Sequence, residues 1–333
     1  MAGYSEILGQ QKVVEHFRNA IKLNKISHAY ILNGEQGMGK KMMAGAFAMT
    51  VQCEKGGTEP CMTCHSCKQF ISGNNPDIKW VTHEKPASIS VEDIRTQVNN
   101  DIVIRPYEYK RKIYIIDEAE KMTTASQNAL LKTIEEPPEY AVILLLTSNK
   151  EMLLQTILSR CVVMDLRPVE NEIIVNYLKT KEKIVDYRAR EAAAFSGGNI
   201  GKAKEMCSSD DFFTLKEEVL RMTKNVEKMT AADMSGHVKN IGKQFKENIG
   251  IYLNLLELWY RDVLIYKVSY SCKELLFQKE EKYIREQAGK LGYDRIERIF
   301  ESIHKVRFQM KSNVNFELAL DMLFINIEES FVL

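Results

Sequence analysis

Short apolar runs alternate along the first half of the chain with segments whose apolar residues recur every three or four positions. In residues 5–25, Ile7, Leu8, Val13, Val14, Phe17, Ala20 and Ile21 fall near a 3.6-residue period, which predicts one amphipathic helix. Compact apolar runs at 28–33, 77–81, 112–117 and 140–146 predict four buried strands. Helical patterns lie between them at 41–51, 91–100 and 126–135. Ser90, with Asp93 three residues on, has the spacing of a capping box, and Pro137-Pro138 stops the third helix. Strands alternating with helices predict an α/β module built on a parallel, doubly wound sheet.

Beyond Pro168 the strand pattern ceases. Helices are expected over 170–181, 187–195 and 200–206, and the polar stretch Ser208-Ser209-Asp210-Asp211 is the best linker candidate. The remainder, 212–333, is amphipathic helix, with breaks expected near Gly236, 269–273 and 289–293. Leu253, Leu255, Leu256, Leu258, Trp259, Val263, Leu264 and Ile265 make one helix apolar on more than one side, so it is expected to be buried in a bundle. Three domains follow: 1–168, a small helical domain over 169–208 and an all-α domain over 212–333. A chain of 333 residues is too long for one core, which agrees.

Composition narrows the function classes. A formal net charge of +1 rules out a polycation, so any nucleic-acid contact must be local. Arg105, Lys110, Arg111 and Lys112, together with Arg95, are the candidates for sequence-blind phosphate contact; solvated surface charge is the competing reading. No run of 18 apolar residues predicts a membrane span. The first residues lack the apolar core of a secretory signal, so a cytoplasmic location is expected. The seven cysteines should then be reduced thiols or metal ligands.

Gly34-Glu35-Gln36-Gly37-Met38-Gly39-Lys40-Lys41 follows a predicted strand and opens a predicted helix, the setting of a phosphate loop. Glycines let backbone N–H groups approach phosphate oxygens; the helix N-terminus and Lys40 add positive charge. Gly34, Gly37, Gly39, Lys40 and Lys41, with Asp117 and Glu118 at the end of the 112–117 strand, form the candidate site for ATP or ADP. A hydrolytic site would place a Ser or Thr hydroxyl after Lys40 to hold Mg²⁺. Lys41 stands there instead, and an ammonium repels a cation, so the site reads as degenerate. The competing reading is a glycine-rich turn without ligand.

Cys53, Cys61, Cys64 and Cys67 lie within fifteen residues, close enough to surround one tetrahedral Zn²⁺. Four thiolates fill the shell, so this zinc would be structural. Lys55, Gly56, Gly57, Thr58 and Pro60 between them cannot build a core, and the metal would supply the folding energy. His65 is a weaker competitor as ligand. Cys161, Cys207 and Cys272 stand apart in sequence and are expected to pack as small apolar residues.

Taken in order, these residues resemble the AAA+ clamp-loader ATPase family of bacterial DNA polymerase III. The likeness rests on Gly9-Gln10, His28-Ala29-Tyr30, the four-cysteine insert, Asp117-Glu118, Asn128-Ala129-Leu130-Leu131-Lys132-Thr133-Ile134-Glu135-Glu136-Pro137-Pro138 and Ser159-Arg160-Cys161. It covers residues 5–168; weaker likeness to a helical collar runs through Trp259-Tyr260-Arg261-Asp262 and residues 313–320. Motor members (gamma/tau) carry Gly-Lys-Thr or Gly-Lys-Ser in the loop, whereas this chain has Lys40-Lys41. The resemblance therefore implies a non-motor ring component of the polymerase III holoenzyme with little or no ATP turnover of its own. It implies as partners three motor subunits and delta, the sliding clamp indirectly, and primer–template DNA held by the assembled ring. Arg160 would reach, in trans, the γ-phosphate of ATP held by a neighbouring subunit. Lys202, near the place of a nucleotide-contacting lid arginine, is a point charge and not a fork. A working motor ATPase of the same fold is the alternative; a partner-free, zinc-stabilised nucleic-acid-binding module is a third reading.

Overall fold

The computed structural model describes residues 3–83, 85–208, 210–310 and 315–332. The chain divides into two compact units, Met1–Lys204 and Glu205–Leu333. Of the expected linker, Ser209 lies outside the described residues.

The first unit holds a five-stranded parallel sheet of β1 (Ala29–Asn33), β2 (Ile78–Val81), β3 (Lys112–Ile116), β4 (Ala141–Thr147) and β5 (Val162–Asp165), in the order β2-β3-β4-β1-β5. Helices cover both faces, which is why the central strands are continuous apolar runs. One face packs on α1 (Gln11–Lys22) and α2 (Lys40–Val51). There Phe17 stacks on Phe47 at 4.2 Å and Tyr30 meets both rings edge-on. The other face, with Ile31, Tyr114, Ile143 and Leu145, packs on α4 (Val91–Ile94) and α5 (Thr124–Glu135).

Three expectations need correction. The single helix over 5–25 is broken: a 3₁₀ turn at Tyr4–Glu6 precedes α1. Gly9 between them takes φ +73° against Val169, where a Cβ would clash, and the Gln10 side chain bonds the Arg167 backbone in both directions. Second, four strands were expected and five are present. β5 is an edge strand of four residues, too short and too exposed to give a buried-strand pattern. Third, no break occurs at Gly236, which lies inside α11 (Ala231–Gln244); a glycine weakens a helix without ending it. The expected capping box is present, with Ser90 and Asp93 bonding each other's backbone N–H, but α4 gives way to a π turn at Arg95–Asn99.

After the 65–71 helix (α3, His65–Ile71) and the short α6 (Gln155–Leu158), the unit closes with α7 (Asn171–Thr180), α8 (Asp186–Phe195) and the start of α9 (Ile200–Ser208). The second unit is helical: α10 (Asp211–Asn225), α11, α12 (Ile249–Ser269), α13 (Glu281–Lys290), α14 (Tyr293–Met310) and α15 (Phe316–Val332). As expected, α12 is buried on several sides. Its Trp259 Nε1 donates to Gln287 at 2.8 Å, and Gln287 donates on to the Thr223 carbonyl at 2.7 Å, joining α12, α13 and α10. Among the described residues no helix is long and apolar enough to cross a membrane.

Candidate nucleotide loop, arginine and metal centre

β1 ends at Asn33 and the chain turns through Gly34 into α2, whose first residue is Lys40. Gly37 and Gly39 take φ +91° and +92°, the left-handed conformation that only glycine adopts without strain. A Cβ at Gly39 would meet nothing within 4 Å, so the loop opens there onto space. Gly37, Gly39, Lys40, Lys41, Asp117 and Glu118 all line one cleft of about 430 Å³. Gly34 closes the loop from behind: Lys40 Nζ donates to its carbonyl, and to that of Glu35 at 3.0 Å. Burial holds the Lys40 ammonium below the ordinary lysine range, while Glu120 and Asp117 pull it the other way.

Lys41 Nζ sits 2.7 Å from Asp117 Oδ2. The carboxylate that would support a magnesium shell is held by an ammonium, and no hydroxyl follows Lys40; this donor set does not fit Mg²⁺. Glu118 lies in the left-handed region at φ 51° and pairs with Lys121 at 2.7 Å, with His83 at 3.8 Å. Beside it Glu120 accepts from the Ser148 hydroxyl and backbone N–H, at the polar end of β4.

The start of α9 presses on the loop. Gly201 N–H donates to the Gly37 carbonyl at 3.1 Å, and a Cβ at Gly201 would come within 2.5 Å of Gly37 Cα. Asn199 Nδ2 donates to the Gln36 carbonyl at 2.8 Å. Lys202, the expected lid cation, pairs with Glu35 at 2.6 Å. Sequence reasoning missed Asn199 and Gly201; a glycine inside a helical pattern, where it costs stability, was the available signal.

Arg160 follows α6 and precedes β5. Its Nη2 meets Glu135 Oε1 at 2.9 Å, both side chains 40% exposed, and its Nη1 donates to the Thr156 carbonyl. β5 runs parallel to β1 with Val162 opposite Tyr30 and Asp165 opposite Asn33. Arg160 therefore stands at the end of the sheet away from the phosphate loop. The register steps from Tyr30 to Asn33 alone separate the two ends by roughly 10 Å. Cys161 packs against the core beneath, and burial pushes its thiol up to about 12.

The Sγ atoms of Cys53, Cys61, Cys64 and Cys67 all lie within 4.8 Å of one another. Four sulfurs at about 2.3 Å from one zinc would stand roughly 3.8 Å apart, so the donor set fits the metal. Backbone N–H groups of Cys61, Cys64 and Cys67 point at the sulfurs of Cys53, Cys61 and Cys64 at 3.3–3.4 Å, which favours thiolates. Hydrogen bonds from Thr63 pull Cys61 down to about 5, while burial raises Cys53 and Cys67. His65 turns instead to Gln69 and Glu108.

The basic residues separate. Arg95, Arg105 and Lys110 are exposed and Arg111 is half-buried. Lys112 is fully buried: it pairs with Asp101 at 2.8 Å and donates to the Asp101 and Ile104 carbonyls. It cannot touch DNA phosphates. Its role is structural, as is that of buried Asp77, which accepts from the N–H groups of Tyr107, Glu108 and Tyr109.

A glycine-rich loop between an inner strand of a parallel sheet and a helix, with an acidic strand end beside it, is the geometry of a nucleotide-binding-type α/β module. The family described as DNA polymerase III, delta subunit, matches residues 9–170. The chain is 28% identical to DNA polymerase III subunit delta′ of Bacillus subtilis, over 96% of each chain. It is 25% identical to subunit tau of the same organism, over 95% of this chain and 60% of tau. Among solved structures it is similar to a DNA polymerase III gamma subunit-related protein of Thermotoga maritima, with TM-score 0.45 and 20% identity over 95% of this chain and 99% of that one. The chain is similar to the clamp-loader subunits of DNA polymerase III, and it resembles delta′ along nearly its whole length.

Proposed function

We propose that the protein is a delta′-type stator of the clamp loader: it takes a fixed place in a ring with gamma/tau-type motor subunits and delta, and helps load the sliding clamp onto primed DNA in the bacterial cytoplasm. The observation that carries this reading is the Lys41–Asp117 ion pair at 2.7 Å, in the place where hydrolysis needs a hydroxyl-bound magnesium. With its own site so disposed, the useful cation is Arg160. Placed across an interface, its guanidinium would offset charge spreading over the γ-phosphoryl oxygens of a neighbour's ATP. The half-exposed Glu135 would hold it in the unassembled chain and release it at little cost.

The four cysteines would hold a structural zinc that orders residues 53–67 and takes no part in the reaction. Arg95, Arg105 and Lys110 are the exposed cations available for DNA phosphates within the assembled ring. The likeness to tau keeps a motor ATPase as the second reading, and Lys41 separates the two. The test is reconstitution with motor subunits, delta, clamp and primed DNA. Replacing wild type by Arg160→Ala is expected to lower steady-state hydrolysis about 10³-fold. An unchanged rate would remove the finger from the account.

A further inference from the structure

The phosphate loop keeps its cradle while its magnesium site does not fit magnesium, and this mismatch has a consequence for ligand choice. Gly37 and Gly39 hold the left-handed turns characteristic of a loop that can cradle phosphates, Gly39 faces open space, and Lys40 lines the same cleft with its charge. Those are the parts that bind phosphate oxygens. The part that would bring a divalent ion is replaced: Lys41 lies in the first turn of α2 with its ammonium on Asp117. A dication entering there would have to displace that ammonium and then sit beside it. The Lys41 side chain is 65% exposed, so it is free to swing from Asp117 to an incoming anion.

We propose that this cleft binds a nucleoside di- or triphosphate in its metal-free form, with the Lys41 ammonium standing beside the phosphates in place of Mg²⁺. The inference rests on the degenerate-site reading above. It makes nucleotide a structural ligand of this chain, held without turnover. Ammonium and magnesium compete for the same phosphate oxygens, so magnesium complexation of the nucleotide weakens binding.

The experiment is calorimetric titration of the purified full chain with ADP, once in EDTA and once in excess Mg²⁺. Binding in EDTA, several-fold weaker with Mg²⁺, is the expected result. Lys41→Thr should bind about tenfold more weakly in EDTA, the loss expected for one charged contact, and regain affinity when Mg²⁺ is added. Lys41→Arg should keep metal-free binding. Wild type that binds only with Mg²⁺, or in neither condition, overturns the proposal, as does Lys41→Thr binding unchanged in EDTA. Should Lys41→Thr fail to fold, the two wild-type titrations decide by themselves. Absence of binding leaves the stator reading standing, since that reading rests on turnover and Arg160; ATP turnover by the isolated chain would overturn the stator reading instead.

Discussion

The two ends of the central sheet treat their cations differently. At the loop end the charges are consumed within the chain: Lys41 holds Asp117, Lys202 holds Glu35, and Lys40 donates to the carbonyls of Gly34 and Glu35. At the far end Arg160 holds Glu135 through a half-exposed pair, of the kind worth about 0–1 kcal/mol. A neighbouring phosphate could draw that guanidinium away cheaply. The contrast teaches that one sheet can commit the cations at its two ends differently. The loop follows β1 and Arg160 precedes β5, so the two sets of cations are positioned by different strands.

Experiments that separate the two ends rank by expected effect. The Arg160→Ala substitution described above, at about 10³-fold in assembled hydrolysis, is the largest and touches only the far end. Next comes Cys64→Ser, which tests whether the loop end leans on the insert that follows α2. Metal binding in small zinc modules supplies on the order of 10 kcal/mol, so zinc content is expected to fall to background and residues 53–67 to become protease-sensitive. Zinc retained at the wild-type level would contradict the ligand set. Gly201→Ala forces a Cβ against Gly37 and should destabilise the first unit by about 1–3 kcal/mol in denaturant titration, while assembled hydrolysis through Arg160 persists.

The smallest effect is a pH dependence confined to the loop end. Hydrogen bonding to Lys202, against some desolvation, holds the Glu35 carboxyl below the ordinary glutamate range. A depressed carboxylate pKa adds stability that is present above the ordinary value and is lost as pH falls through the lowered one. Amide protection at Gly201 and Lys202 should therefore decline on acidification through that window, and Lys202→Met should remove the pH response. Protection that rises on acidification would show the sign to be wrong.

Much of this was legible in the sequence, for identifiable reasons. Strands β1, β3 and β4 are buried on both faces and announce themselves as unbroken apolar runs; the capping box at Ser90 and the cysteine spacing are local signals. β5 was not legible because an edge strand of four residues needs little apolar character. The Gly9 break was hidden because its cause, Val169, lies far along the chain. The same is true of the candidate site. Lys41 stood out beside Lys40, but the pairing of Lys202 with Glu35 and the seating of Gly201 on Gly37 are long-range facts. Lys112 was misread as a DNA contact because a lysine in a basic run gives no sign that Asp101 will bury it.

The central question is whether the ammonium at position 41 closes this chain's own catalytic route. Its most direct test is ATP hydrolysis by the purified chain alone, with Mg²⁺ and primed DNA present and no partner subunit. No turnover above background is the result the Lys41–Asp117 pair predicts. Steady multiple-turnover hydrolysis, abolished by Lys40→Ala, would show that this chain is itself a motor.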